Sequence, residues 1–236
     1  LIWGLIISSF LEVVLSFVFI KPHPQFIFDV KKAKRIIGRG KWVTGYGIFD
    51  YFYQNVDDAV VAKLLGAPLL GIYQVAYKIS SLPISEIADV FSRVTFPIYV
   101  KIADDSLRLK RAFLKTLVSS SILMILLGAF ILIFPEQIVL VILGASWLSS
   151  VPVLKILAIF GVFKGITGVP LSLFLAKDKQ EYVTAVTFIT FLSLLVTIIP
   201  LVNKFGVVGA GVSAVIGSII GAISAFYLTF KVLKNG

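Results

Sequence analysis

The chain has 236 residues, of which 58% are hydrophobic and only 14% charged, against about 25% charged in ordinary soluble domains. Its mean hydropathy of +1.02 belongs to a polytopic membrane protein, and the net charge of +10 does not point to nucleic acid, because the 22 Lys and Arg residues cluster between apolar runs. There is no cysteine and a single histidine, His23, between two prolines, so disulfide frameworks, thiolate or zinc sites, Cys nucleophiles and His-base catalysis lack raw material; no metal or cofactor is expected.

A spanning helix requires about 20 mostly apolar residues. Seven segments meet that need, at 2–20, 42–62, 69–99, 112–134, 151–176, 182–202 and 207–230. They are long and continuously apolar rather than alternating, which predicts helices and not barrel strands. The first, "LIWGLIISSFLEVVLSFVFI", opens the sequence without a methionine, a basic start or a small-residue cleavage site, and is read as the continuation of a longer protein. After it come Lys21, Lys31, Lys32, Lys34, Arg35, Arg39 and Lys41; the stretch "KKAKRIIGRGK" is read as a topology signal rather than a nucleic-acid or anionic-lipid patch. Five more basic residues fall between Lys101 and Lys115, two at Lys177 and Lys179, and two at Lys231 and Lys234. The alternate loops hold only Lys63 and Lys204. By the positive-inside rule the sixteen face the cytoplasm, the first span enters from outside, and the C-terminus is cytoplasmic in the cell's inner membrane. In the last span, Gly206, Gly209, Gly217 and Gly221 form a small-residue face expected to pack against another helix.

Charges inside the spans follow helical geometry. With Lys78 at zero, Ser85 falls at about −20°, Asp89 at about 20°, Arg93 at about 60° and Glu86 at about 80°, while Ile79, Ile87, Val90, Phe91 and Val94 point elsewhere. The third span is therefore expected to turn its apolar residues to lipid and its charged stripe to a bundle interior or an aqueous cavity, because charges in hydrocarbon cost at least ~2.5 kcal/mol each. In the second span Tyr46, Asp50, Gln54 and Asp57 share one sector in the same way. Lys164 is central in the fifth span and needs a partner from another helix; Lys155, nearer the outer end, suits an interface anchor. Glu12 lies midway along the first span. A blander reading makes Asp89 and Arg93, one turn apart, a helix-stabilising ion pair. Polar groups offered by several helices to a shared interior describe a transporter. No paired-carboxylate loop, Ser/His/Asp set, "DxD" metal motif or nucleotide loop supports an enzyme.

The stretch "NVDDAVVAKLLGAPLLGIYQVAYKISSLP" resembles the start of the second half of the polysaccharide (O-antigen and exopolysaccharide) flippases. "SRVTFPIYVKIADD", "ILGASWLSSVPVLKILAIFG", "PLSLFLAKDK" and "KFGVVGAGVSAVIGS" continue the likeness in order, so that it covers the chain from about Val30 onward and is greatest to the colanic-acid-exporter-like branch. The resemblance implies an all-α, polytopic helix bundle of the multidrug/oligosaccharidyl-lipid/polysaccharide exporter superfamily, the second bundle of a two-bundle, MATE-like transporter. On that reading residues 1–20 end the first bundle, 21–41 form the cytoplasmic connection, and 42–236 are the second bundle. The implied function is to carry a polyprenyl-pyrophosphate-linked oligosaccharide across the cytoplasmic membrane by alternating access coupled to an ion gradient. Lys78, Arg93 and Lys164 are then the candidates to bind substrate, and Asp50, Asp57 and Asp89 to couple the ion. Membrane lipids, a polysaccharide polymerase and assembly proteins are the implied partners. Asp57, Tyr73, Tyr77, Lys78 and Pro97 fall on recurring family positions. The excess of acids over bases within the spans also suits a drug or organic-cation antiporter of the same superfamily, and a non-transporting scaffold for polysaccharide assembly is a third reading.

Overall fold

The computed structural model describes residues 2–19 and 30–234; His23 and the first part of the expected 21–41 connection lie outside them. All seven expected long helices are present: α1 (Ile2–Phe19), α2 (Val30–Leu65), α3 (Ala67–Lys101), α4 (Ser106–Ile133), α6 (Val151–Ala176), α7 (Gln180–Phe205) and α8 (Val207–Lys234). Between α4 and α6 the chain adds a short helix α5 (Pro135–Ile142) and a 3-10 turn, Ala145–Ser150. Helix α2 begins at Val30, so much of the expected connection is helical; Lys, Ala, Arg and Ile are tolerated or favoured in helices.

Among the described residues, four segments are long and apolar enough to cross a membrane: α4, the segment Ala145–Ala176, α7 and α8. Helices α2 and α3 are longer still, at 36 and 35 residues, but less apolar because they carry the ionisable groups. Residues 1–38 and 39–236 are separate compact units. In the first, α1 is apolar and exposes Ile6, Ile7 and Phe10.

In the second unit, local sequence punctuates the helices. Gly66 takes the left-handed φ of 86° between α2 and α3, a conformation that a side chain resists, and Pro68 sits in the first turn of α3, where its missing N–H costs nothing. Asp105 caps α4 by accepting from the Arg108 N–H at 3.0 Å. Helix α6 packs against α3, α4, α7 and α8 and forms the middle of the bundle. Two of its glycines make this possible: a Cβ on Gly161 would lie 3.3 Å from the Ser80 carbonyl oxygen of α3, and one on Gly165 would lie 2.7 Å from Met124 Sδ of α4. As expected, the small-residue face of α8 packs on another helix, with Gly217 against Thr190 and Leu194 of α7.

The core is largest where α3, α6 and α8 meet, around Tyr73, Ile84, Leu154, Leu157 and Ala210. Lys177 Nζ donates to the Ala103 carbonyl at 2.9 Å, which places the α3–α4 and α6–α7 connections at one end of the bundle. The α2–α3 and α7–α8 turns and the 134–150 segment follow at the other.

Candidate functional site

A half-open cavity of about 430 Å³ is lined by α2, α3, α6, α7 and α8. Lys164, midway along α6, lines it. Trp42, Leu175 and Gln180 line it toward the end that carries Lys177. Helix α2 is held there by a hydrogen bond from Thr184 Oγ1 to the Trp42 carbonyl, 2.6 Å, and by Phe49 against Phe188, with centroids 4.8 Å apart.

Three of the six sequence-derived site residues share this cavity: Asp50 from α2, Asp89 from α3 and Lys164 from α6. Asp50 is half-buried and accepts from Gln54 Nε2 at 2.6 Å. The Lys164 amine donates to the Tyr77 phenol oxygen at 3.0 Å and lies 5.7 Å and 5.6 Å from the centroids of the Tyr77 and Phe160 rings. Among the described residues, the ion pairs join Arg108 to Asp105 and Lys179 to Glu181. Neither Asp50 nor Asp89 is paired with Lys164, and Asp89 is not paired with Arg93.

The other three lie elsewhere. Asp57 is buried outside the cavity and accepts from the Tyr73 hydroxyl at 2.7 Å; beside it, Gln74 donates to Asp58 at 2.7 Å. The "NVDD" and "YQ" pairs thus clamp α2 to α3 next to their turn. Lys78 and Arg93 are exposed on α3 and do not line the cavity. The orientation expected for α3 needs correcting. Its apolar side does not turn wholly to lipid, since Ile79 and Ile87 pack into the core, while Val90 and Val94 are exposed. Of the charged stripe only Ser85 and Asp89 line the cavity, Asp89 at an exposed position; Lys78, Glu86 and Arg93 are exposed and do not line it. The reason is that α4 and α6 offer α3 an apolar surface to bury against, which outweighs lipid as a partner through close packing.

Several cavity residues escaped the sequence reading: Trp42, Gln180, Thr187 and the pair Ser92 and Ser172, whose hydroxyls are 2.7 Å apart across α3 and α6. Hydroxyls in apolar helices usually bond their own backbone, so they carry no signal of where they point. The partner of Lys164 was legible only as the recurring "AY" at Ala76–Tyr77.

Residues 1–152 match the family model described as polysaccharide biosynthesis protein. The chain belongs to that family. It is 29% identical over 166 residues to the teichuronic acid biosynthesis protein TuaB of Bacillus subtilis, covering 68% of this chain and 33% of TuaB. It is 27% identical to the lipopolysaccharide biosynthesis protein WzxC of Escherichia coli, covering 89% of this chain and 42% of WzxC. It is 23% identical to the probable low-salt glycan biosynthesis flippase Agl15 of Haloferax volcanii, covering 84% of this chain and 43% of Agl15. The chain therefore spans between a third and a half of these curated relatives. Its fold is that of an outward-facing multidrug resistance MATE family transporter of the MOP superfamily, with a TM-score of 0.70, 19% identity, and coverage of 95% of this chain and 54% of that one. This family member is a multi-pass membrane protein with a MATE-like helical bundle.

Proposed function

We propose that the chain is the second bundle of a flippase that carries a polyprenyl-pyrophosphate-linked oligosaccharide from the cytoplasmic to the outer leaflet by alternating access. The observation that carries this reading is the membrane-embedded cavity in which Lys164, Asp50 and Asp89, from three helices, face one space. The flippase and biosynthesis names of its relatives and the transporter fold support it. Residues 1–20 end the first bundle, 21–41 form the cytoplasmic connection, and 42–236 are the second bundle. Lys164 supplies charge to the pyrophosphate within the cavity, while Lys78 and Arg93 on the exposed side of α3 extend the same cationic path. Asp50, Asp57 and Asp89 couple transport to an ion. Membrane lipids, a polymerase and assembly proteins are its partners, the membrane is the inner one, and the sixteen basic loop residues face the cytoplasm.

Phosphate binding in a partly dehydrated site depends on charge-assisted hydrogen bonds, each worth about 1.5–3 kcal/mol, or roughly tenfold or more in affinity. The test compares Lys164→Gln with Lys155→Gln at equal membrane abundance, in cells whose surface polysaccharide depends on this protein. Lys164→Gln is expected to lose most surface polymer and Lys155→Gln, an exposed residue outside the cavity, to retain it. Full export by the Lys164 variant would place the pyrophosphate elsewhere.

A second reading, an organic-cation antiporter, is favoured by Asp50 lying with Trp42, Tyr46 and Tyr53 in the same cavity, a carboxylate among aromatic faces. It predicts that expression lowers cellular accumulation of a quaternary ammonium dye and that Asp50→Asn abolishes this, with surface polymer unchanged.

A further inference from the structure

Lys164 sits mid-way along α6 in a cavity that also holds two carboxylates, Asp50 and Asp89. In such a low-dielectric space an amine and a carboxylate attract strongly, and a direct pair would cancel both charges. The structure shows a different arrangement. The Lys164 amine donates to a neutral phenol oxygen, Tyr77 Oη, at 3.0 Å, and the centroid of the Phe160 ring lies 5.6 Å from it. Asp50 likewise has a neutral partner, the Gln54 amide at 2.6 Å. Lys164 and Asp50 are thus each held by an uncharged group. Aromatic faces and a phenol oxygen stabilise a cation without removing its charge.

The cradle is fixed by its surroundings. Phe160 lies one turn before Lys164 on α6 and is buried; its ring is 5.7 Å from that of Tyr77. Tyr77 in turn lies 6.4 Å from the ring of Tyr73, one turn back on α3, and the Tyr73 hydroxyl is tied to Asp57. The close approach of α3 and α6 at Gly161 and Gly165 brings Tyr77 within reach of Lys164.

From this we infer that Tyr77, supported by Phe160, is a positioning residue that holds the Lys164 amine out of a direct ion pair with the carboxylates of its own cavity and so reserves its charge for an anionic headgroup. The inference rests on the flippase reading only for the identity of that anion. An incoming phosphate oxygen then displaces a phenol oxygen rather than breaking an ion pair, a much cheaper exchange.

The experiment uses the full-length transporter in detergent, labelled with ε-13C-lysine, with the Lys164 signal assigned from Lys164→Arg. In the wild type the signal is expected upfield of ordinary lysines because of the Phe160 ring, and Asp50→Asn should leave it in place. Tyr77→Phe should move it, and in that background Asp50→Asn should move it again, because the amine has turned to the carboxylate. Geranyl pyrophosphate, titrated by calorimetry, should bind Tyr77→Phe about tenfold more weakly than wild type, the loss expected when one charge-assisted contact is diverted. The double variant Tyr77→Phe/Asp50→Asn should regain the affinity of Asp50→Asn alone. A wild-type signal that moves with Asp50→Asn, or a Tyr77→Phe signal that does not move, overturns the inference. If Tyr77→Phe does not fold, Phe160→Leu serves: it should reduce the upfield displacement, and an unmoved signal overturns the cradle. Lysine shifts as expected with no response to geranyl pyrophosphate in any protein would uphold the positioning role and overturn the flippase reading.

Discussion

Asp57 is 4% exposed and its partner Tyr73 is 0% exposed, so their 2.7 Å hydrogen bond has no solvent substitute. Deleting one partner leaves the other buried without a bond, at a cost of about 1–3 kcal/mol. Asp57→Ala is therefore expected to lower the midpoint of thermal unfolding in detergent by several degrees, whereas Asp58→Ala, whose Gln74 bond is only partly buried, should lower it far less. Equal midpoints for the two variants would show that the clamp contributes nothing. Helical spacing placed Asp57 on the same sector as Asp50, but spacing describes one helix in isolation. Asp50 reaches the cavity and Asp57 does not, because Tyr73 of the next helix meets the latter. The same limit applies to Lys164: its central position was plain, but nothing in its own helix identified Tyr77.

Among the elements, α7 and α8 are joined by a single residue. Gly206 adopts a φ of 60°, and a Cβ on Gly209 would collide with the Leu201 carbonyl of α7. A backbone atom cannot rotate aside as a side chain can, so the two helices would have to separate. Gly209→Ala is expected to destabilise the protein by about 1–3 kcal/mol, the usual range for overpacking. Gly71→Ala, in helix α3 with nothing within 4 Å of its Cβ position, should be neutral or stabilising because alanine favours the helix. Comparable unfolding midpoints for both variants would contradict this packing. The glycine-rich pattern of α8 showed that some helix lies against it, while only the fold identifies α7 at Gly217 and Ile156 of α6 at Gly211.

For the whole molecule, the Lys177–Ala103 bond joins two of the basic connections at one end of the bundle. If that end faces the cytoplasm, single cysteines at the exposed positions Asp104 and Lys179 should be shielded from an impermeant thiol reagent in intact cells, and one at exposed Ser149 should react. Asp104 is the better site because its neighbour Asp105 caps α4. Labelling in the reverse pattern would invert the orientation and place the Trp42–Gln180 end of the cavity toward the outside.

The presence of seven long helices, the alternation of basic loops and the membrane class were legible from composition and run length alone, since burying a backbone in hydrocarbon leaves few alternatives to long apolar helices, whereas α5, the 3-10 turn and the start of α2 at Val30 were not. The likeness of "NVDDAVVAKLLGAPLLGIYQVAYKISSLP" to the flippases was also legible without coordinates. Which charges meet was decided only by tertiary structure. Lys78, Asp89 and Arg93 share one stripe of α3, but only Asp89 faces the cavity, because the packing of α3 on α4 and α6 fixes how the helix is rotated. Helical periodicity states which residues share a face; it takes the neighbouring helices to state what that face meets.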